Sequence, residues 1–177
     1  MIDIRSIDRA HAADINLPNE PFALSGRMVP TYVDEAWSCS IQHTGGVSAM
    51  TFPDEHYDYD ALTGNSTFLG AYDGEKCVGL AMLQEGFFRY MYLYDLKVNA
   101  AYRRQGIAGR LIGRAEEIAR AKGYIGLWTQ GQDNNLGACL FYLHAGFEIG
   151  GFDNRVYDGT KQAGKADILF YKRFADA

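Results

Sequence analysis

Two stretches of this 177-residue chain carry residues whose types and order suit group-transfer chemistry. The first is Arg103-Arg104-Gln105-Gly106-Ile107-Ala108-Gly109, set between the aromatic run YMYLYDLKV (Tyr90 to Val98) and an amphipathic segment. A helix start there exposes unpaired backbone N–H groups and a partial positive charge, and glycines let a ligand approach the backbone. The two arginines add charge-assisted contacts, so the combination suits a phosphate. Neither GxGxxG nor GxxxxGK[ST] is present, which implies a phosphate ligand of another kind. One acid, Asp95, stands inside the aromatic run. It is either a structural carboxylate bonded to backbone or to a lysine, or a group that attracts an amine and helps remove its proton. The second stretch, Asn135 to Phe147, opens on a helix-capping residue type and carries Tyr142. On its own Tyr142 reads as core packing.

Positioning these groups requires ordered elements. Ile107, Leu111, Ala115 and Ile118 share one helical face, which predicts a helix from Ile107 to about Lys122, ended by Gly123. Tyr124 to Thr129 reads as a short buried strand, Leu136 to His144 as a helix closed by Gly146, and Phe147 to Phe152 and Asp167 to Phe174 as strands. Upstream, Thr67 to Tyr72 and Cys77 to Gln84 flank Asp73-Gly74, a hairpin signal, and a turn at Glu85-Gly86 leads into the Tyr90 strand. Leu24 to Val33 and Trp37 to Ile41 read as strands, His43 to Asn65 as a long loop, and residues 1–23 as an irregular arm. The order predicts one mixed α/β domain over 1–177, with N-terminal strands over 24–98, an acidic loop over 51–65 and the ligand-binding part over 99–177.

Composition agrees with a folded globular chain: 47% hydrophobic, 22% charged and four prolines. Cys39, Cys77 and Cys139 are odd in number and far apart, so they read as reduced packing residues rather than a disulfide framework. His11, His43, His56 and His144 offer no ligand spacing, and no metal is expected. No apolar run approaches the roughly 20 residues of a membrane span, so the expectation is a cytoplasmic protein with no membrane partner. A net charge of −5 argues against a nucleic-acid surface. Residues 103–122 nevertheless carry a local charge of +4, read as either a solvated helix face or an anion site. Asp54, Glu55, Asp58 and Asp60, interleaved with Tyr57 and Tyr59, form either a solvated loop or a recruiter of a cationic substrate. Trp37 and Trp128 read as packing residues.

Arg103-x-x-Gly106-x-Ala108 after a strand resembles the pyrophosphate-binding turn of the GCN5-related N-acetyltransferases. Asn135-x-x-Ala138-x-x-x-Tyr142-x-x-x-Gly146-Phe147 resembles the second signature of that family. Outside these motifs, NEPFALSGRMVPTY, QDNNLGACLFYLHAGFEIGGFD, VYDGT and the closing FYKRF resemble the streptothricin acetyltransferases, from about Asn19 to Phe174. The resemblance implies a GNAT-type domain, with a central, mostly antiparallel twisted sheet flanked by helices. It implies acetyl-CoA as cofactor, held by Leu96, Lys97, Val98, Arg103, Arg104, Gln105, Gly106, Ile107, Ala108, Gly109, Asn135, Ala138 and Tyr142. Tyr142 matches the general acid that serves the leaving thiolate, oxyanion donors fall around Leu96 to Val98, and Asp95 becomes the second catalytic candidate. Tyr94, Asp95, Gln130, Asp153 and Tyr157 line the substrate side, where a small cationic amine, the β-lysine amine of streptothricin, is acetylated and resistance follows.

The chain departs from that family at two points. Leu93-Tyr94-Asp95 stands where I-E-D is usual, and Thr129-Gln130-Gly131-Gln132 where L-E-T-Q is usual; both changes remove negative charge. An aminoglycoside, a polyamine, or a protein lysine or N-terminus therefore stays open as substrate, as does a non-catalytic acyl-CoA sensor. A homodimer is also left open.

Overall fold

Aromatic and β-branched runs bounded by tight turns form most of the strands in the computed structural model, which describes residues 1–175. In chain order the strands are β1 (Ile2–Ser6), β2 (Phe22–Val33), β3 (Ala36–Met50), β4 (Ser66–Asp73), β5 (Lys76–Gln84), β6 (Tyr90–Val98), β7 (Gly126–Gln132), β8 (Glu148–Asp153) and β9 (Asp167–Arg173). The α-helices are α1 (Tyr59–Leu62), α2 (Ile107–Ala121) and α3 (Leu136–His144), with 3-10 helices over Arg9–Asn16 and Ala100–Tyr102. The fold is mixed α/β, its central sheet mostly antiparallel with one parallel pair and flanked by helices.

The chain packs as two compact units. One comprises Met1–Glu20, Phe52–Leu127 and, of the described residues, 173–175; the other comprises Pro21–Thr51 and Trp128–Lys172. In the first unit the strand order is β1-β4-β5-β6. The β4–β5 hairpin turns at Asp73-Gly74 as expected, with Gly74 at φ +61° and the ladder running from Asp73↔Lys76 to Ser66↔Gln84. Ile7, Ile15, Phe68, Tyr72, Leu80 and Met82 form a core cluster beside it. Helix α2 buries Ile107, Leu111, Ile112, Ala115 and Ala119, while Ile118 is only half-buried. Gly123 follows the helix at φ +82°. In the second unit β8 and β9 pair antiparallel, and β2 pairs with β3 as a separate two-stranded sheet.

Three expectations are corrected. The N-terminal segment is not an irregular arm: β1 pairs with β4 from Ile2↔Asp73 to Ser6↔Leu69, and Asp8 caps the following 3-10 helix, whose Ile15 is fully buried. Asp3 and Arg5 alternate with isoleucines there, a half-buried edge pattern too short to stand out. The stretch from His43 to Met50 is strand rather than loop, pairing as far as Phe22↔Met50. Most of β3 faces water, so its backbone ladder left no apolar alternation in the sequence. Finally, β7 begins two residues later than expected and extends through Gln130 to Gln132. Among the described residues, no helix is long and apolar enough to cross a membrane.

Candidate active site

The turn between β6 and α2 has the geometry of an anion cradle. Arg104 at φ +60° and Gly106 at φ +77° swing the chain into the helix. No side chain caps α2, and its first bond runs from Arg110 N to Gly106 O at 3.1 Å, which leaves the preceding amides at an open end. A Cβ placed at Gly106 or Gly109 would meet nothing within 4 Å. Arg103 ties the turn to the strand end: its Nε donates to Val98 O at 2.9 Å and its guanidinium reaches Glu20 at 3.2 Å. Gln105 donates back to Ala101 O at 3.2 Å. Buried Ile107 anchors the first helical turn, Ala108 is half-buried beside it, and Arg104 and Gly109 are exposed. Backbone amides, a helix start and open space fit the diphosphate of acetyl-CoA.

Strand β6 carries a bulge beside the acid. Leu83 pairs with Leu93 and Met82 with Asp95, so Tyr94 is the extra residue, while Leu96, Lys97 and Val98 pair regularly with β5. Tyr94 is exposed, edge-on to Tyr57 at 6.1 Å and to Tyr92 at 5.3 Å between ring centroids. The side chain of Asp95 lies 3.1 Å from Lys97 Nζ and accepts from the Tyr57 hydroxyl at 3.3 Å. Lys97 Nζ also reaches Glu55 at 2.8 Å and Asn19 Oδ1 at 3.2 Å. Burial pushes the Asp95 carboxyl above the ordinary carboxylate range, with Lys97 pulling it back and Glu55 adding to the rise. The Tyr57 hydroxyl is driven upward by burial and by the charges of Asp95 and Glu55.

The acidic segment is committed to partners within the protein, which changes both readings of it. Asp54 accepts from Asn19 N at 2.7 Å, Asp58 caps α1, and Asp60 pairs with Arg9. Asn19 and Arg9, in the segment that read as an arm, supply the partners of Asp54 and Asp60, while Asp58 holds the amides of Asp60 and Ala61, and all of these acids remain exposed.

In the second unit, Tyr142 lies on α3 at 7% exposure, its ring 5.5 Å from Phe147 and 5.4 Å from Phe170. Asn135 caps α3 and accepts from Ala138 N at 3.3 Å. Three of the expected substrate residues converge on a carboxylate that sequence reasoning did not single out, Asp167 at the start of β9. The Tyr157 hydroxyl donates to its Oδ1 at 2.7 Å, Gln130 Nε2 stands 3.4 Å from its Oδ2, and Asp153 is its cross-strand partner. Burial raises the Asp167 carboxyl, opposed by the Tyr157 bond, and burial with that same bond pushes the Tyr157 hydroxyl up to about 12. Asp153 itself is exposed and accepts from Arg155 N at 2.8 Å and Val156 N at 3.0 Å, which makes it a turn cap. Trp128 stacks on Tyr171, and Trp37 packs at a tilt against Tyr32.

Residues 31–147 match the model of the acetyltransferase (GNAT) family. The chain belongs to that family. As a GNAT enzyme it is an acetyl-CoA-dependent N-acetyltransferase. Streptothricin acetyltransferase A of Bacillus subtilis (strain 168) is 29% identical over 173 residues, covering 97% of this chain and 99% of that protein. Streptothricin acetyltransferase of Escherichia coli is 26% identical over 164 residues, covering 93% and 83%. Among solved structures, a candidate streptothricin acetyltransferase of Bacillus anthracis in complex with acetyl coenzyme A superposes with a TM-score of 0.87 at 24% identity, covering 99% of both chains. A nourseothricin acetyltransferase superposes at 0.81 and 22%, covering 97% of this chain and 98% of its own. At those identities the two structures speak for the fold.

Proposed function

We propose that this GNAT enzyme acetylates a primary amine of a streptothricin-type antibiotic, its β-lysine amine, in the cytoplasm, and so confers resistance. One observation carries the reading: the 29% identity to the B. subtilis streptothricin acetyltransferase runs nearly the full length of both chains. A bound acetyl-CoA supplies an activated thioester carbonyl. The remaining work falls to this chain's side chains and amides. A primary amine has a pKa near ~10.4 and arrives protonated, so a carboxylate near it both attracts the cation and helps take its proton, directly or through water. Asp95 has that role in the proposal. Its ion pair with Lys97 favours the charged form that a base requires, against the pull of burial.

Backbone N–H groups around Leu96 to Val98, just past the Tyr94 bulge, stabilise the developing oxyanion. The hydroxyl of Tyr142 protonates the departing thiolate, and its ring is locked in orientation by Phe147 and Phe170. The α2 cradle from Arg103 to Gly109 binds the diphosphate, and Asn135 and Ala138, at the start of α3, are assigned to acetyl-CoA by the family resemblance. By the same family resemblance, Tyr94, Gln130, Asp153 and Tyr157 are assigned to the amine. Tyr94 and Gln130, which stand where the family resemblance leads one to expect acids, favour a second reading in which another cationic amine, an aminoglycoside or a polyamine, is the acceptor.

The test is resistance itself. A streptothricin-sensitive bacterium expressing the chain grows at raised drug concentration, while one expressing Tyr142→Phe at equal protein level does not. Equal sensitivity of both to the drug, with resistance to a different amine antibiotic, selects the second reading.

A further inference from the structure

Asp95, Asp133 and Asp167 are each largely withdrawn from water, with Asp133 2% and Asp167 7% exposed. A buried charge is costly unless it is paired. Asp133 accepts from Arg27 Nε at 2.8 Å, and Asp95 lies 3.1 Å from Lys97 Nζ. Asp167 differs: among the described residues no cation stands within pairing distance of it, and its hydrogen-bond partners, Tyr157 and Gln130, are neutral. The charged groups that face it are themselves acids, Asp153 and Asp133.

We propose that Asp167 is the carboxylate that binds an ammonium group of the amine substrate, and that Tyr157 and Gln130 are its positioning residues. The inference rests on the acceptor being a cationic amine, as proposed above, and it names the side chain that recognises the cation. Tyr157 fixes Oδ1 with a bond of 2.7 Å. Oδ2 faces Gln130 at 3.4 Å, long for a hydrogen bond, so that oxygen keeps the capacity for a stronger, charged donor. An ammonium supplies both the missing positive charge and that donor. The site also accounts for Gln130: an acid at that position would crowd a third charge onto Asp167 and Asp153, whereas an amide tolerates them.

Four proteins test this: wild type, Asp167→Asn, Tyr157→Phe and the double variant Asp167→Asn/Gln130→Glu. Asparagine keeps the acceptor for Tyr157, so the first variant preserves the local hydrogen bond. Binding is read by calorimetry with streptothricin, kanamycin and spermidine as probes, then turnover with each amine that binds. Loss of a charged hydrogen bond raises the KM of Asp167→Asn for the amine by about 10- to 100-fold, with kcat and acetyl-CoA affinity within about twofold of wild type. Tyr157→Phe shows a smaller rise in KM. Gln130→Glu in the Asp167→Asn background restores amine binding, because it returns a carboxylate to the same place. Unchanged amine affinity in Asp167→Asn overturns the assignment, as does an equal loss of acetyl-CoA binding or a wild type that binds none of the three amines. If wild type acetylates kanamycin or spermidine but not streptothricin, the substrate reading fails alone, and the same variants measure Asp167 against the accepted amine.

Discussion

Tyr142 illustrates how chemistry and packing share one residue. Its ring belongs to an aromatic cluster with Phe147 and Phe170, and its hydroxyl has the acid's role in the proposed mechanism. Tyr142→Phe keeps the ring, so acetyl-CoA binding persists while kcat falls by about 10²- to 10⁴-fold, the usual worth of a positioned acid, in steady-state assays. Unchanged kcat would remove Tyr142 from the chemistry. Asp167 yields a second prediction, in stability. Burial raises its carboxyl in the folded chain, so the folded state keeps the proton to higher pH than the unfolded chain does. Its contribution is therefore most favourable at low pH and declines as pH rises from the ordinary carboxylate range through the raised value. Asp167→Asn removes that decline: its Tm exceeds the wild-type Tm at about pH 7.5, and the gap closes toward about pH 4. A gap of the same size at both pH values contradicts the burial argument. The residue scale was also the least legible in sequence. Lys97 follows Asp95 by two positions, which on a strand puts both on one face, and it is the lysine that the structural reading of Asp95 left unnamed. Nothing local marks Asp167, because its companions stand 10 and 37 positions away and meet it only once β7 and β9 are in place.

At the scale of elements, legibility followed the strength of local patterns. The 3.6-residue period of α2, the limits of α3 and the Asp73-Gly74 hairpin were all visible, because buried faces and turn residues announce them. Strand β3 was hidden by its polarity, and its turn hid as well, since Asp34 and Glu35 at φ +50° and +61° fill a tight hairpin that asparagine or glycine usually signals. The β6–α2 turn was legible for the opposite reason: its glycine is required. Gly106→Val places a branched side chain at φ +77°, costing roughly 1–2 kcal/mol of stability, and fills the open end of α2. The variant therefore unfolds at lower temperature and also loses the Tm rise that acetyl-CoA gives the wild type, both read by thermal melts with and without ligand. A Gly106→Val protein that still gains the full ligand-induced rise would show that the diphosphate sits elsewhere.

At the scale of the whole molecule, charge and family converge. A chain with net charge −5 that gathers a local +4 along residues 103–122 offers an anionic cofactor a basic segment and a cationic amine an acidic remainder. Added salt therefore lowers kcat/KM for a polycationic amine more steeply than for a monoamine, in initial-rate assays across ionic strength; identical slopes would remove steering from the account. GNAT membership and the fold were foreshadowed by two short motifs, whereas the acceptor was not, because Tyr94 and Gln130 depart from the expected pattern at positions proposed, not observed, to bind it. The most direct measurement is thiol release from acetyl-CoA by the purified protein with streptothricin as the only amine, coupled to mass analysis of the drug. The account predicts thiol release in step with one acetyl group added to streptothricin. No release with streptothricin, alongside turnover of an aminoglycoside or polyamine, would contradict the proposed substrate.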